Sequence, residues 1–290
     1  MTASLAFEPI TARIGARAPG FALDPEMPDA TLAQLLDGLL AHQVLVFEDQ
    51  HHLTPAAQRA LGLRLGRLAP RHPMYPIADG IEEVMVIIND PDTPPENEVW
   101  HSDLSCYETP PAAAILAARH VPPAGGDTMW CSMTGVLEDL SEPFRGFLET
   151  LSARHDFRTG FAFVNEYADL ARRETLKNQG DAAPKASHPV VMRHPVSGQP
   201  LLYVNESFTD AIEGLSAAES RLLLNHLAET VRHPRNHMRL KWKPGMVAIW
   251  DNYLTQHMAL GDHWPAYREM HRVTVAQIDA RAAGAAPRAA

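Results

Sequence analysis

The sequence is poor in cysteine, and that scarcity excludes several chemistries. Cys106 and Cys131 are the only two among 290 residues. Two thiols are too few for a disulfide framework, and no Cys-x-x-Cys pair exists for a zinc ribbon or a thioredoxin-like redox site. No run of about 18 consecutive apolar residues occurs, which excludes a transmembrane helix. The N-terminal stretch MTASLAFEPITARIGARAPG lacks a basic segment followed by an apolar one, so no secretory signal is expected and the cytoplasm is the expected location. Cations are in deficit, with 25 Lys and Arg against 35 Asp and Glu and a net charge of −10. That disfavours a nucleic-acid partner, whose affinity comes from clustered cations. It leaves open a small anion held by one buried arginine. No internal repeat or long linker divides the chain. Residues 1–279 read as a single domain, and the low-complexity tail 280–290 is expected to be disordered.

Histidine, in contrast, is abundant at 15 residues, which raises the prior for metal chemistry. Helices are sparse and well punctuated. Thr54-Pro55 opens a predicted helix over 55–68, Ser216-Ala-Ala-Glu219 is a capping-box sequence opening 217–231, and 29–41 and 142–151 complete the set. Between them run short β-rich segments at 43–47, 83–88, 127–131, 189–193, 200–204, 237–242, 246–250 and 271–278, mostly bounded by Pro, Gly, Asn or Asp. The strands do not alternate regularly with helices, so a doubly wound parallel sheet fits poorly. The expected fold is mainly β with flanking helices, a β-sandwich or jelly roll.

The chemistry-bearing pattern begins in EVWHSDLSCY, residues 98–107. On a strand, residues two apart face the same side, so His101 and Asp103 could address one ion. Alone, His-x-Asp is weak, and an ordinary polar face explains it equally well. His257, far downstream, supplies the other half of a 2-His-1-carboxylate arrangement, which holds Fe(II) with positions left open. Arg268 follows, a residue type suited to gripping a cosubstrate carboxylate in two places.

These features sit among longer stretches, including RHPMYP (71–76), PPENEVWHSD (94–103), GGDTMW (125–130), HPVVMRHPVSGQ (188–199), YVNESFT (203–209), VAIWDNYLTQH (247–257) and REMHRVT (268–274). In that order they resemble the taurine dioxygenase family of Fe(II)/2-oxoglutarate-dependent oxygenases over nearly the whole chain. The resemblance implies a double-stranded β-helix of the cupin-like jelly-roll kind. It implies catalytic iron ligands at His101, Asp103 and His257, and 2-oxoglutarate binding by Thr128 and Arg268. It also implies a substrate sulfonate held by Arg272 and His72, an amine end met by Tyr75 and Asn97, and pocket walls at Leu104, Phe161 and Phe208. The implied reaction hydroxylates taurine at the carbon bearing the sulfonate. It consumes O2 and 2-oxoglutarate and releases sulfite, aminoacetaldehyde, succinate and CO2. Relatives in this family form dimers or tetramers, so a homo-oligomer is expected.

Two alternatives stay open at this point. One is the same chemistry on another alkanesulfonate or an alkyl sulfate. The other, of a different class, is a non-catalytic jelly-roll protein using the same ligands for a metal. The remaining histidines, His155 and His188 among them, show no competing ligand spacing and read as structural or surface residues. The stretches 89–97 and 158–187 read as segments able to close over a substrate.

Overall fold

A computed structural model describes residues 5–71, 75–95, 98–159 and 184–279. The largest sheet has nine strands, and its centre runs in the order Val44–Phe47, Val247–Asp251, Ala113–His120, Arg268–Ile278, Ile81–Asn89. Neighbours in this central run are antiparallel. A smaller antiparallel sheet, His237–Leu240, Thr128–Ser132, Thr255–Ala259, faces it. This is the expected mainly β jelly roll.

Both faces of the large sheet are buried, which explains strands that read as continuous apolar runs. Val44, Val46, Ala114, Leu116, Ala248, Trp250 and Met270 fill the layer between the two sheets, together with Trp130, Met238, Leu240 and Trp242. Leu45, Phe47, Ile115, Ile249, Val273 and Val275 point the other way, into a cluster with Leu35, Leu36 and Leu39 of the helix Asp29–His42 and Leu61 and Leu65 of the helix Pro55–Leu65. The two-residue strand period puts Arg268 and Arg272 on the face of Met270, toward the smaller sheet.

Two departures from the sequence expectation have physical causes. The predicted helix over 55–68 stops at Leu65, and Gly66–Leu68 becomes a strand on Arg268–Ile278. A Cβ on Gly66 would lie 1.9 Å from the Gln277 carbonyl oxygen, so the close backbone approach requires glycine there. The central strand Ala113–His120 went unrecognised because its sequence, AAILAARH, is rich in a strong helix former. Its alanines are what allow packing on both sides of a crowded sheet. The helix Ala217–Val231 forms as predicted, with both hydrogen bonds of the Ser216/Glu219 capping box present.

A third sheet, Lys185–Pro189, Ser152–Asp156, Thr209–Ile212, carries a buried polar cluster against the loop after Asp103. His155 Nδ1 lies 3.0 Å from Ser105 Oγ, which also accepts from Asn205 Nδ2 at 2.9 Å. His188 Nε2 donates to the Ser105 and Tyr107 carbonyls at 2.9 and 3.0 Å. His155 stacks on Tyr203, with ring centroids 5.6 Å apart. Burial, then the neighbouring His188, pushes the His155 imidazole down to about 3.

The sign of the pH dependence follows. Unfolded His155 takes a proton near its ordinary value, whereas the folded chain resists protonation until far lower pH. Its contribution to stability is therefore complete above about pH 6.5 and falls as pH drops, by up to about 1.4 kcal/mol per pH unit. Thermal melts between pH 7.5 and 5 should show a steep loss of stability for the wild type and a shallower one for His155→Gln. Parallel slopes would contradict this account.

Candidate active site

The site lies in the seam between the two sheets, and its first components are set by main-chain bonds. His101 N–H donates to the His257 carbonyl at 3.1 Å, and His257 N–H donates back to His101 at 2.8 Å. This bridge faces the two imidazoles at a centroid separation of 4.2 Å. Asp103, two residues on, places its carboxylate oxygens 3.8 Å from His101 Nε2 and 3.7 Å from His257 Nε2. Ligand atoms of the three side chains all lie within 4.8 Å of one another, and they could hold a metal ion.

That task requires neutral imidazoles and an ionised carboxylate. His101 Nδ1 donates to the Val99 carbonyl at 2.7 Å, which leaves the Nε2 lone pair facing Asp103. Burial, reinforced by His101 and Arg272, holds His257 well below the usual imidazole range despite the nearby Asp103. Burial pushes Asp103 up, but Arg272, His257 and His101 together overcome it and hold the carboxyl well below the usual carboxylate range.

Two arginines on the strand Arg268–Ile278 flank this group. Arg272 donates through Nη2 to Asp103 Oδ2. Its Cζ sits 5.2 Å from the centroid of the Trp250 ring, a cation–π arrangement, and its buried Nε has no hydrogen-bond partner among the described residues. Trp250 in turn packs on His257 at 5.0 Å.

Arg268 is 4% exposed and donates through Nε to the Gly126 carbonyl at 3.2 Å. It makes no ion pair among the described residues. Burial lowers its guanidinium to about 10, partly offset by Asp127. An isolated buried cation is costly, so this arrangement calls for an anion. Gly126 makes it possible: with φ at +71°, it would place a Cβ 3.1 Å from Arg268 Cδ and 3.3 Å from the His263 ring. Thr128, two residues on, is 3% exposed, and its Oγ1 accepts from Trp242 Nε1 at 2.9 Å. These are donors suited to the far carboxylate of a dicarboxylate cosubstrate.

The other predicted residues fall in two groups. Leu104 is half-buried directly after Asp103, in a left-handed conformation with φ at +48°. Phe208 is half-buried in a turn where its N–H donates to Asn205 Oδ1 at 2.9 Å. Tyr75 is half-buried, just before the strand Ile77–Ala78. His72, Asn97 and Phe161 lie outside the described residues, as does most of the stretch 158–187 expected to close over a substrate. Sequence reasoning missed Trp250, Trp242, Gly126, His263 and Asn252. Of these, only Gly126 carried a signal, as half of a Gly-Gly pair before Asp127.

The lone buried cation generates a prediction. Replacing Arg268 with Gln should leave the metal-free, cosubstrate-free chain at least as stable as wild type, because an unpaired buried charge is removed. It should also weaken 2-oxoglutarate binding by roughly 100-fold, as expected when one partner of a buried charged contact is truncated. Thermal denaturation and calorimetric titration check the two halves, and a clear loss of ligand-free stability would contradict the account of Arg268 as an unpaired charge.

Residues 6–274 match the family described as "Taurine catabolism dioxygenase TauD, TfdA family". The chain is 33% identical to an alkylsulfatase of Acinetobacter baylyi over 276 residues, covering 95% of this chain and 86% of that protein. It is 33% identical to an alpha-ketoglutarate-dependent sulfate ester dioxygenase of Pseudomonas putida over 269 residues, covering 92% and 88%. The crystal structure of a taurine dioxygenase from Burkholderia xenovorans superposes with a TM-score of 0.79 at 32% identity, over 94% of this chain and 89% of that one. No helix among the described residues is long and apolar enough to cross a membrane. The chain belongs to the TauD/TfdA family of dioxygenases, which depend on Fe(II), 2-oxoglutarate and O2.

Proposed function

We propose that this dioxygenase acts on a sulfonate, with taurine as its substrate, and that His101, Asp103 and His257 hold its iron. The observation that carries the reading is the Arg272 guanidinium. It is half-buried beside His101, Asp103 and His257, and its Nε has no hydrogen-bond partner among the described residues, so it can hold an anionic head group close to the reacting centre. A tetrahedral anion accepts several hydrogen bonds, and a guanidinium fork matches it. Tyr75 and, by the family resemblance, Asn97 supply neutral acceptors for an amine at the other end, while Leu104 and Phe208 line the space between. The same resemblance makes His72 a second donor to the sulfonate and Phe161 a further wall.

Bound ferrous iron supplies the capacity to activate O2, with electrons from the oxidative decarboxylation of 2-oxoglutarate to succinate and CO2. The protein's part is orientation. Arg268 and Thr128 hold the far carboxylate of the cosubstrate, and Arg272 holds the head group so that the adjacent C–H bond faces the triad. Misplacement of about 1 Å can cost on the order of a hundredfold in rate. Hydroxylation at the carbon bearing sulfur gives a 1-hydroxysulfonate. It breaks its C–S bond to release sulfite and aminoacetaldehyde, with one oxygen atom of O2 in the aldehyde precursor and the other in succinate.

A second reading is favoured by the similarity to an alkylsulfatase and a sulfate ester dioxygenase. On an alkyl sulfate the same oxidation, at the carbon bearing the ester oxygen, releases inorganic sulfate instead of sulfite. One assay separates the two: the purified chain with Fe(II), 2-oxoglutarate, ascorbate and air, given taurine, longer alkanesulfonates or alkyl sulfates in turn. Sulfite formed fastest from taurine is the expected result. Sulfate released faster from an alkyl sulfate would overturn the taurine assignment, and Arg272→Met should abolish turnover of either class.

A further inference from the structure

Asn252 directly follows the strand Val247–Asp251 and is 1% exposed. Its carboxamide is used entirely on the chain around Asp103. Oδ1 accepts from Asp103 N–H at 2.8 Å, and Nδ2 donates to the Asp103 carbonyl at 3.0 Å and to the Pro111 carbonyl at 2.9 Å. Asp103 lies in a turn, and its N–H and C=O belong to the two peptide planes that flank its Cα. An amide that grips both therefore fixes the direction in which the Asp103 carboxylate leaves the chain.

The grip completes a series. His101 is paired to His257 through the main chain, and Ser102 Oγ donates to the Thr255 carbonyl at 2.9 Å. Asp103 lies past the end of that pairing, and Asn252 takes the place of a strand neighbour. The next residue, Leu104, adopts a left-handed backbone that an L side chain rarely accepts, with Tyr107 N–H donating to its carbonyl at 3.0 Å. Freed of Asn252, the 103–104 peptide would relax and swing the carboxylate away from the two imidazoles. Asn252 itself sits in a turn pinned by buried Asp251, whose Oδ1 accepts from the N–H groups of Tyr253 and Leu254 and whose Oδ2 accepts from His194 Nε2 at 3.0 Å.

We propose that Asn252 is a positioning residue that sets the aim of Asp103, and through it the affinity and geometry of the metal site. The proposal rests on the reading of His101, Asp103 and His257 as metal ligands, and is independent of which substrate the enzyme takes. Aspartate at this position would keep the acceptor for Asp103 N–H but lose both donors. Alanine would lose all three bonds.

The test uses the full-length, metal-free protein titrated with Co(II), read by its visible absorption, beside thermal melts of the same metal-free samples. Asn252→Ala should weaken Co(II) binding by roughly 10–100-fold, the usual effect of removing a group that orients a metal ligand. Its Co(II) spectrum should also differ from that of wild type, and Asn252→Asp should fall between the two. A purely structural role would lower the melting temperature alone. Co(II) affinity and spectrum indistinguishable from wild type in folded Asn252→Ala would overturn the proposal. Should that variant fail to fold, the same result in Asn252→Asp would overturn it. Failure of the underlying metal-site reading has a different signature: wild type would bind no Co(II), or Asp103→Ala would bind it as tightly as wild type.

Discussion

The two hydrogen bonds between His101 and His257 are the contact on which the site depends. They join segments far apart in the chain, and the entropy lost in closing so long a loop is offset by the sheets on either side. The strand carrying His257 continues alongside Thr128–Ser132, pairing His257 with Trp130 and Ala259 with Thr128. The register that aims one imidazole thus also places Thr128, which we propose binds the cosubstrate. A slip of one residue would turn His257 to the outer face and bring Gln256 or Met258 inward. Buried partners oppose that slip: Gln256 donates through Nε2 to the Val204 carbonyl at 2.6 Å, and Trp250 packs on His257.

The two arginines belong to the opposite sheet, one helical-scale spacing apart in sequence yet on one face of a strand. They are held differently. Arg272 is balanced by Asp103 and the Trp250 ring, whereas Arg268, among the described residues, has a carbonyl and a distant carboxylate only. A chain selected for stability alone would not bury Arg268 this way. Preorganised charge without a partner is the usual signature of a site that trades stability for binding. Gly126 lies close against the Arg268 stem, where a Cβ would come within 3.1 Å of Arg268 Cδ.

Side-chain chemistry was more legible in the sequence than backbone architecture. His101, Asp103, His257 and Arg268 stand out because their residue types and order are rare by chance, and the helix Ala217–Val231 because its cap is written in four residues. Ala113–His120 was hidden because local propensity points to helix while two flanking strands impose extension. The helix end at Leu65 was hidden because the reason for it, the Gln277 carbonyl, is a long way off in sequence. Asn252 was hidden for the same kind of reason: its partners are main-chain atoms of Asp103 and Pro111, which leave no mark on residue identity. His155, read as an ordinary structural histidine, is one, although its burial makes it sensitive to pH.

Charge balance, given the family's metal and cosubstrate, argues for the class of head group. On the proposed assignment, Arg268 and Arg272 set against Asp103 leave the buried site with one net positive charge. A divalent ion raises this to three, and a dianionic cosubstrate returns it to one. A singly charged head group then neutralises the site, whereas a phosphate dianion would overshoot and leave an unpaired charge where desolvation is most costly. Sulfonates and sulfate esters both satisfy this condition, so Arg272 selects for the head group without distinguishing C–S from C–O–S substrates. Discrimination between them falls to the groups that meet the other end. On the proposed assignment an ammonium there is met by neutral acceptors such as the Tyr75 hydroxyl, which a bare alkyl chain has no use for. On that assignment, polar groups at the far end favour an amine-bearing sulfonate over an alkyl sulfate.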